Sequence, residues 1–184
     1  MVYNLKVAGL TRDLPLCPIG ENLYIGAFVL FGDVELTECC AKALYEKAPA
    51  HDVMITAESK GIPLIHAMCR ESGRNRYILA RKAVKLYMKD VLKCETKSIT
   101  TGHVQTLYID GDDAEFMKGK RVLIVDDVIS TGGSLQSLEN LVAQAGGEVV
   151  GRMTILAEGD AIGREDITYL APLPLFDKNG NPLN

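Results

Sequence analysis

The chain has 184 residues, 47% of them hydrophobic and 24% charged; this excludes a disordered chain and suits one domain. Lys and Arg number 20 against 24 Asp and Glu, a net charge of −4, so no basic surplus exists to neutralise a nucleic-acid backbone. Seventeen glycines in a chain without Trp point to backbone used for close approach to a ligand.

The opening residues, Met1-Val2-Tyr3-Asn4-Leu5-Lys6, lack the charged and apolar regions of a secretory signal. The longest nearly apolar stretch, Leu23 to Phe31, falls well short of the roughly 20 residues of a membrane helix. Five cysteines (Cys17, Cys39, Cys40, Cys69 and Cys94) show no CxxC spacing, which argues against a disulfide framework and a zinc site. A cytoplasmic protein with reduced thiols and no membrane contact is expected. His51, His66 and His103 are scattered without metal spacing.

In chain order, a helical period covers Thr37–Lys47, followed by a buried β-branched run at Asp52–Thr56. A helix is predicted over Ile62–Glu71 and a strand over Tyr77–Ala80. The polar stretch from Lys93 to His103 has no hydrophobic period and predicts a long loop. A strand-like stretch follows at Val104–Ile109. The acidic segments Asp110–Asp113 and Asp177–Asn181 both fail the calcium-loop pattern. Arg121–Val125 predicts a buried strand, Leu135–Ala145 a helix closed by Gly146-Gly147, and Glu148–Leu156 another strand. Strands alternating with helices predict an α/β fold, a parallel sheet flanked by helices, with ligands beyond the carboxyl ends of its strands.

The stretch from Val122 to Ser134 (VLIVDDVISTGGS) carries the most chemistry. An apolar strand ends in two acids, and a short Ser-Thr-Gly-Gly-Ser loop then feeds a helix. A helix N-terminus presents unpaired N–H groups and positive partial charge, which favour a phosphate. Two carboxylates beside a phosphate need another partner, either hydroxyl groups that donate hydrogen bonds or Mg²⁺. A P-loop enzyme is excluded because Gly119-Lys120 is followed by Arg121 and preceded by no suitable glycine.

This signature closely resembles that of the type I phosphoribosyltransferases, which bind 5-phosphoribosyl-1-pyrophosphate (PRPP). The resemblance implies that Asp126 and Asp127 hold the ribose hydroxyls and that Ser130, Thr131, Gly132, Gly133 and Ser134 hold the 5-phosphate. Ala57-Glu58-Ser59-Lys60-Gly61 looks like the family's pyrophosphate loop, which assigns Ser59, Lys60 and Gly61 to that group. Arg81-Lys82-Ala83-Val84-Lys85 is similar to a segment of the adenine-using members and adds Arg81, Lys82 and Lys85 as pyrophosphate contacts.

By the same resemblance, residues 1–50 form a small hood on a single domain spanning 1–184 and carry base specificity. Leu23-Tyr24-Ile25 aligns with the segment that stacks on adenine, Phe28 is the competing stacker, and Val128 lines the base pocket. The implied reaction is adenine and PRPP to AMP and pyrophosphate, in purine salvage, by a homodimer. Mg²⁺ would enter with the substrate rather than on an assigned protein ligand. Xanthine, guanine or orotate as the base, or a non-catalytic PRPP-binding regulator, are the alternatives. Two departures from the adenine pattern stand out. Leu86 is followed by Tyr87 where many adenine enzymes have Pro, and Gly102–Tyr108 offers no Glu. The general acid/base is therefore unassigned.

Overall fold

The structure, a computed structural model, describes residues 1–97 and 104–183. The chain opens with three antiparallel strands, β1 (Val2–Val7), β2 (Leu10–Pro18) and β3 (Tyr24–Gly26). β1 and β2 meet at a two-residue turn, Ala8-Gly9, with both residues at positive φ. That turn has the twist of a hairpin. Alternation buries Leu5 and Val7 on one face of β1.

Next comes α1 (Val34–Tyr45). It starts three residues before the predicted helix because Asp33 caps it, accepting the Leu36 N–H at 3.0 Å. The chain then runs through β4 (Val53–Ala57), α2 (Gly61–Glu71), β5 (Ile78–Ala80), β6 (Leu92–Lys97) and β7 (Val104–Ile109). It continues through α3 (Gly111–Met117), β8 (Arg121–Ile129), α4 (Gly133–Gln144), β9 (Glu148–Glu158) and β10 (Thr168–Leu173). Two short strands, β11 (Leu175–Phe176) and β12 (Pro182–Leu183), follow.

The central sheet has the order β10-β9-β8-β4-β5, and each of its pairings is parallel, as the α/β pattern requires. Its two faces follow the strand period. Leu123 and Val125 pack with Leu36, Leu44, Leu64 and Met68 of α1 and α2. Val122 and Ile124 pack with Leu135, Leu138 and Leu141 of α4 and with Leu107 of β7. Each such side chain contributes about 1.5–3 kcal/mol of burial, an upper estimate.

A second sheet, β1-β2-β3-β11-β12, stands beside the first. Phe176 of β11 pairs with Tyr24 of β3, and its ring lies 5.0 Å from that of Tyr3. The segment expected as a hood is therefore completed by residues from the far end of the sequence.

Two expectations are corrected. The polar stretch from Lys93 to His103 is not all loop, because β6 pairs antiparallel with β7, from Leu92↔Ile109 to Lys97↔Val104. Residues 98–103, including His103, lie outside the described residues. Cys94 is buried while Lys93 and Glu95 are exposed, an alternation too short to register as a period. The strand expected to end at Val125 runs on through both acids to Ile129, held by the parallel register Asp126↔Thr154 and Val128↔Leu156.

Candidate active site

A cavity of about 390 Å³ opens at the carboxyl ends of β4, β8 and β9, where an open α/β sheet places its ligands. Three walls come from the expected loops: Glu58, Ser59 and Lys60 after β4, Asp126 to Val128 at the end of β8, and Ser130 and Ser134 at the start of α4. The fourth comes from the second sheet, where Ile25 and Gly26 end β3 and Ala27 to Val29 follow it.

The acid pair sits against the floor. Asp127 is only 6% exposed, and its Oδ2 is buried without a hydrogen-bond partner. Asp126 Oδ1 accepts the Asp127 N–H at 3.0 Å. Burial pushes both carboxyls above the ordinary range, and the charge of Asp127 raises Asp126 further. Lys60 pulls both back down. A buried acid with an orphaned oxygen, beside a second, half-buried acid, is costly unless a ligand supplies donors or a cation. Among the described residues no group of three or more His, Cys, Asp or Glu side chains could enclose a metal ion. The pair does fit Mg²⁺, a hard cation that takes one or two carboxylates and fills its remaining positions from a bound anion and water.

Opposite the acids, α4 begins. Its N-cap is Gly132, at φ 82°, with no side-chain cap, so the first N–H groups of the helix are left for an anion. A Cβ on Gly132 would lie 3.0 Å from Nη1 of Arg164. That places a guanidinium, itself paired with Asp166, beside the loop. Ser130 and Ser134 line the cavity; Thr131, Gly132 and Gly133 shape the turn without lining it.

The loop after β4 approaches the acids closely. A Cβ on Gly61 would sit 2.2 Å from Thr56 Oγ1 and 3.2 Å from Asp126 Oδ1. Only glycine lets the start of α2 come this near β8. The Glu58–Ser59 peptide bond is cis. Ser59 and Lys60 line the cavity and Gly61 does not.

Of the basic cluster, Lys82 alone lines the cavity. Arg81 forms an ion pair with Glu58 at 3.5 Å and is tied by its backbone to Tyr108. Lys85 is half-buried outside the lining, and its N–H points at Met88 Sδ. Lys82, Arg81 and Lys85 together hold the Glu58 carboxyl below its usual range, the Lys82 N–H contributing most.

Ile25, Phe28 and Val128 line the cavity, and Phe28 is also part of the core. Tyr24 does not line it; its backbone pairs with Pro18 and Phe176. Glu158, Leu173 and Arg164 were absent from the expected site. For Glu158 a signal existed, since a lone acid closes the apolar run Thr154–Ala157 just before Gly159. Arg164 follows no strand pattern, and only the folded chain brings it to Gly132.

The family described as the phosphoribosyl transferase domain matches residues 38–171. An adenine phosphoribosyltransferase of Mycobacteroides abscessus is 31% identical over 169 residues, 92% of this chain and 91% of that protein. Another, from Natranaerobius thermophilus, is 33% identical over 89% of this chain and 93% of its own length. A hypoxanthine/guanine phosphoribosyltransferase of Methanosarcina mazei is 34% identical over 59% of this chain and 53% of its own. Among solved structures, the adenine phosphoribosyltransferase of Thermoanaerobacter pseudethanolicus has a TM-score of 0.73 at 22% identity, covering 86% of this chain and 95% of that one. The fold is thus shared well beyond the motif loops.

Proposed function

The chain belongs to the phosphoribosyl transferase family, and on that premise we propose that it transfers the phosphoribosyl group of PRPP to adenine, giving AMP and pyrophosphate in purine salvage. The observation that carries this reading is the union, in one cavity, of an acid pair, an uncapped helix start and Lys60. Those are complements to a ribose, a phosphate and a pyrophosphate. Adenine as the base is supported by relatives of that name matching along nine-tenths of both chains.

Asp126 and Asp127 accept hydrogen bonds from the ribose 2- and 3-hydroxyls. Ser130, Thr131, Gly132, Gly133 and Ser134 cradle the 5-phosphate with backbone N–H and hydroxyl donors. Ser59, Lys60, Gly61 and Lys82 take the pyrophosphate, while Arg81 and Lys85 add positive potential behind Glu58. The base lies against Ile25, Phe28 and Val128.

A ring nitrogen of the base attacks C1 of the ribose as the bond from C1 to the pyrophosphate oxygen breaks. Pyrophosphate leaves with the electron pair, and the base loses its proton. Positive charge develops on the ribose, so the nearby carboxylates stabilise it, and Lys60 stabilises the leaving group. Mg²⁺, entering with the substrate beside Asp126 and Asp127, would supply charge neutralisation for the leaving group.

Five cysteines, none in a disulfide among the described residues, support a site of action in a reducing cytoplasm. The exposed apolar side chains Val84, Leu86 and Tyr87 beside the basic cluster support a homodimer that covers them. The second sheet and the central one then act as a single unit, hood over site.

Pyrophosphate release with PRPP, Mg²⁺ and each of adenine, hypoxanthine, guanine, xanthine and orotate tests the reading. Adenine is expected to have the highest kcat/KM. Turnover of an oxopurine without adenine, or PRPP binding without turnover of any base, overturns it.

A further inference from the structure

Glu158 closes β9 and lines the cavity, half-buried, yet its carboxyl makes no hydrogen bond or ion pair to the described residues. It stands beside the apolar part of the wall. Its register partner on β10 is Leu173, and Leu173 Cδ1 would lie 3.2 Å from a Cβ on Gly26. Ile25, Phe28 and Val128 line the same cavity. The charged groups that act on Glu158 are Lys60 and Asp127. A carboxyl kept next to apolar side chains without a partner costs free energy unless a ligand provides one.

With ribose and phosphates assigned elsewhere, the partner left for Glu158 is the base. Its chemistry then decides which base. An ionised carboxylate only accepts hydrogen bonds, and a protonated one accepts and donates once. An oxo group facing either free carboxylate oxygen is repelled, whereas an exocyclic amino group donates to it. We propose that Glu158 is the specificity-determining residue of the base site, its ionised carboxylate accepting from the exocyclic amino group of a 6-aminopurine and having no hydrogen to offer an oxo group. This assignment rests on the reading of the chain as a purine phosphoribosyltransferase and adds the side chain that tells amino from oxo purines. Burial and the charge of Asp127 push the Glu158 carboxyl above its ordinary range, with Lys60 opposing, so acidic pH removes the pure acceptor.

The test is a set of kcat and KM values for adenine, hypoxanthine and PRPP in the full chain and in Glu158→Gln and Glu158→Leu. The amide of Gln both accepts and donates, so Glu158→Gln keeps adenine kcat/KM within about fivefold and gains hypoxanthine turnover. Glu158→Leu raises the adenine KM about 10- to 100-fold, with the PRPP KM unchanged within about twofold. The preference of the wild type for adenine over hypoxanthine falls as pH is lowered and Glu158 takes up a proton, while that of Glu158→Gln stays flat; this readout stands even where Glu158→Leu fails to fold. An unchanged adenine KM in Glu158→Leu, a rise confined to the PRPP KM, or a parallel pH profile in Glu158→Gln overturns the assignment while adenine turnover stands. A wild-type chain that turns over no purine removes the assignment together with the reading beneath it.

Discussion

Glu58 holds the backbone of Lys82. Its Oε2 accepts the Lys82 N–H at 2.9 Å, while Oε1 lies 3.5 Å from Nη2 of Arg81. One carboxylate thus fixes the lysine that faces the cavity and neutralises the arginine that does not. Glu58→Ala loses both links, whereas Glu58→Gln keeps an acceptor for the N–H. Steady-state kinetics should show the PRPP KM rising about tenfold in Glu58→Ala and less in Glu58→Gln, as expected for a lost charge-assisted hydrogen bond. Equal effects of the two variants would remove the positioning role.

Gly61 and Thr56 compete for one space. Gly61→Ala puts a methyl 2.2 Å from Thr56 Oγ1 and should cost about 1–3 kcal/mol by overpacking. Thr56 Oγ1 is buried without a partner, so Thr56→Ala alone is expected to be near neutral. Denaturant unfolding of the double variant should recover more than half of the loss. Additive effects would show that the methyl is accommodated elsewhere.

Asp126→Asn should separate function from stability. It removes a hydrogen-bond acceptor for the ribose and its charge, so PRPP affinity falls at least about tenfold in calorimetric titration. Burial and Asp127 hold the wild-type Asp126 carboxyl above the ordinary range, so the folded state binds its proton more tightly than the unfolded chain does. Its contribution to stability is therefore present at acid pH and lost as pH rises from about 4 through the folded value. The variant should melt higher than wild type at pH 7, by on the order of 1 kcal/mol, and that advantage should shrink toward pH 4. A pH-independent difference in Tm would contradict the buried charge as its cause.

Gly132 takes a positive φ and its backbone lies beside Arg164. Gly132→Ala should lose about 1 kcal/mol from backbone strain alone. Arg164→Ala leaves the turn intact and instead raises the PRPP KM about threefold to tenfold through the lost charge near the phosphate loop. An unaltered KM in Arg164→Ala, measured at low salt, would confine that arginine to its pair with Asp166.

The inner strands of the central sheet were legible because they are buried on both faces, whereas β10, at its edge, was not read. Val53 to Ile55 and Val122 to Val125 are apolar without interruption. The strands of the second sheet carry no such run. β1 shows only Leu5 and Val7 inward, and β12 is two exposed residues. Their pairing depends on contacts between distant parts of the chain, which no local pattern records. The two phosphate-type loops were readable from residue type and spacing. The split within Arg81-Lys82-Ala83-Val84-Lys85 was not, because the partner that decides it, Glu58, belongs to another loop. Glu158 needed the strand to run two residues past Leu156, where the apolar pattern stops.

The pairing of Tyr24 with Phe176 also sets an order of events. A chain emerging from the ribosome can close the hairpin of Ala8-Gly9 early, since both its strands are adjacent in sequence. The wall around Ile25 and Phe28 must wait until β11 has been made, so the end of the cavity proposed to hold the base takes shape late in synthesis.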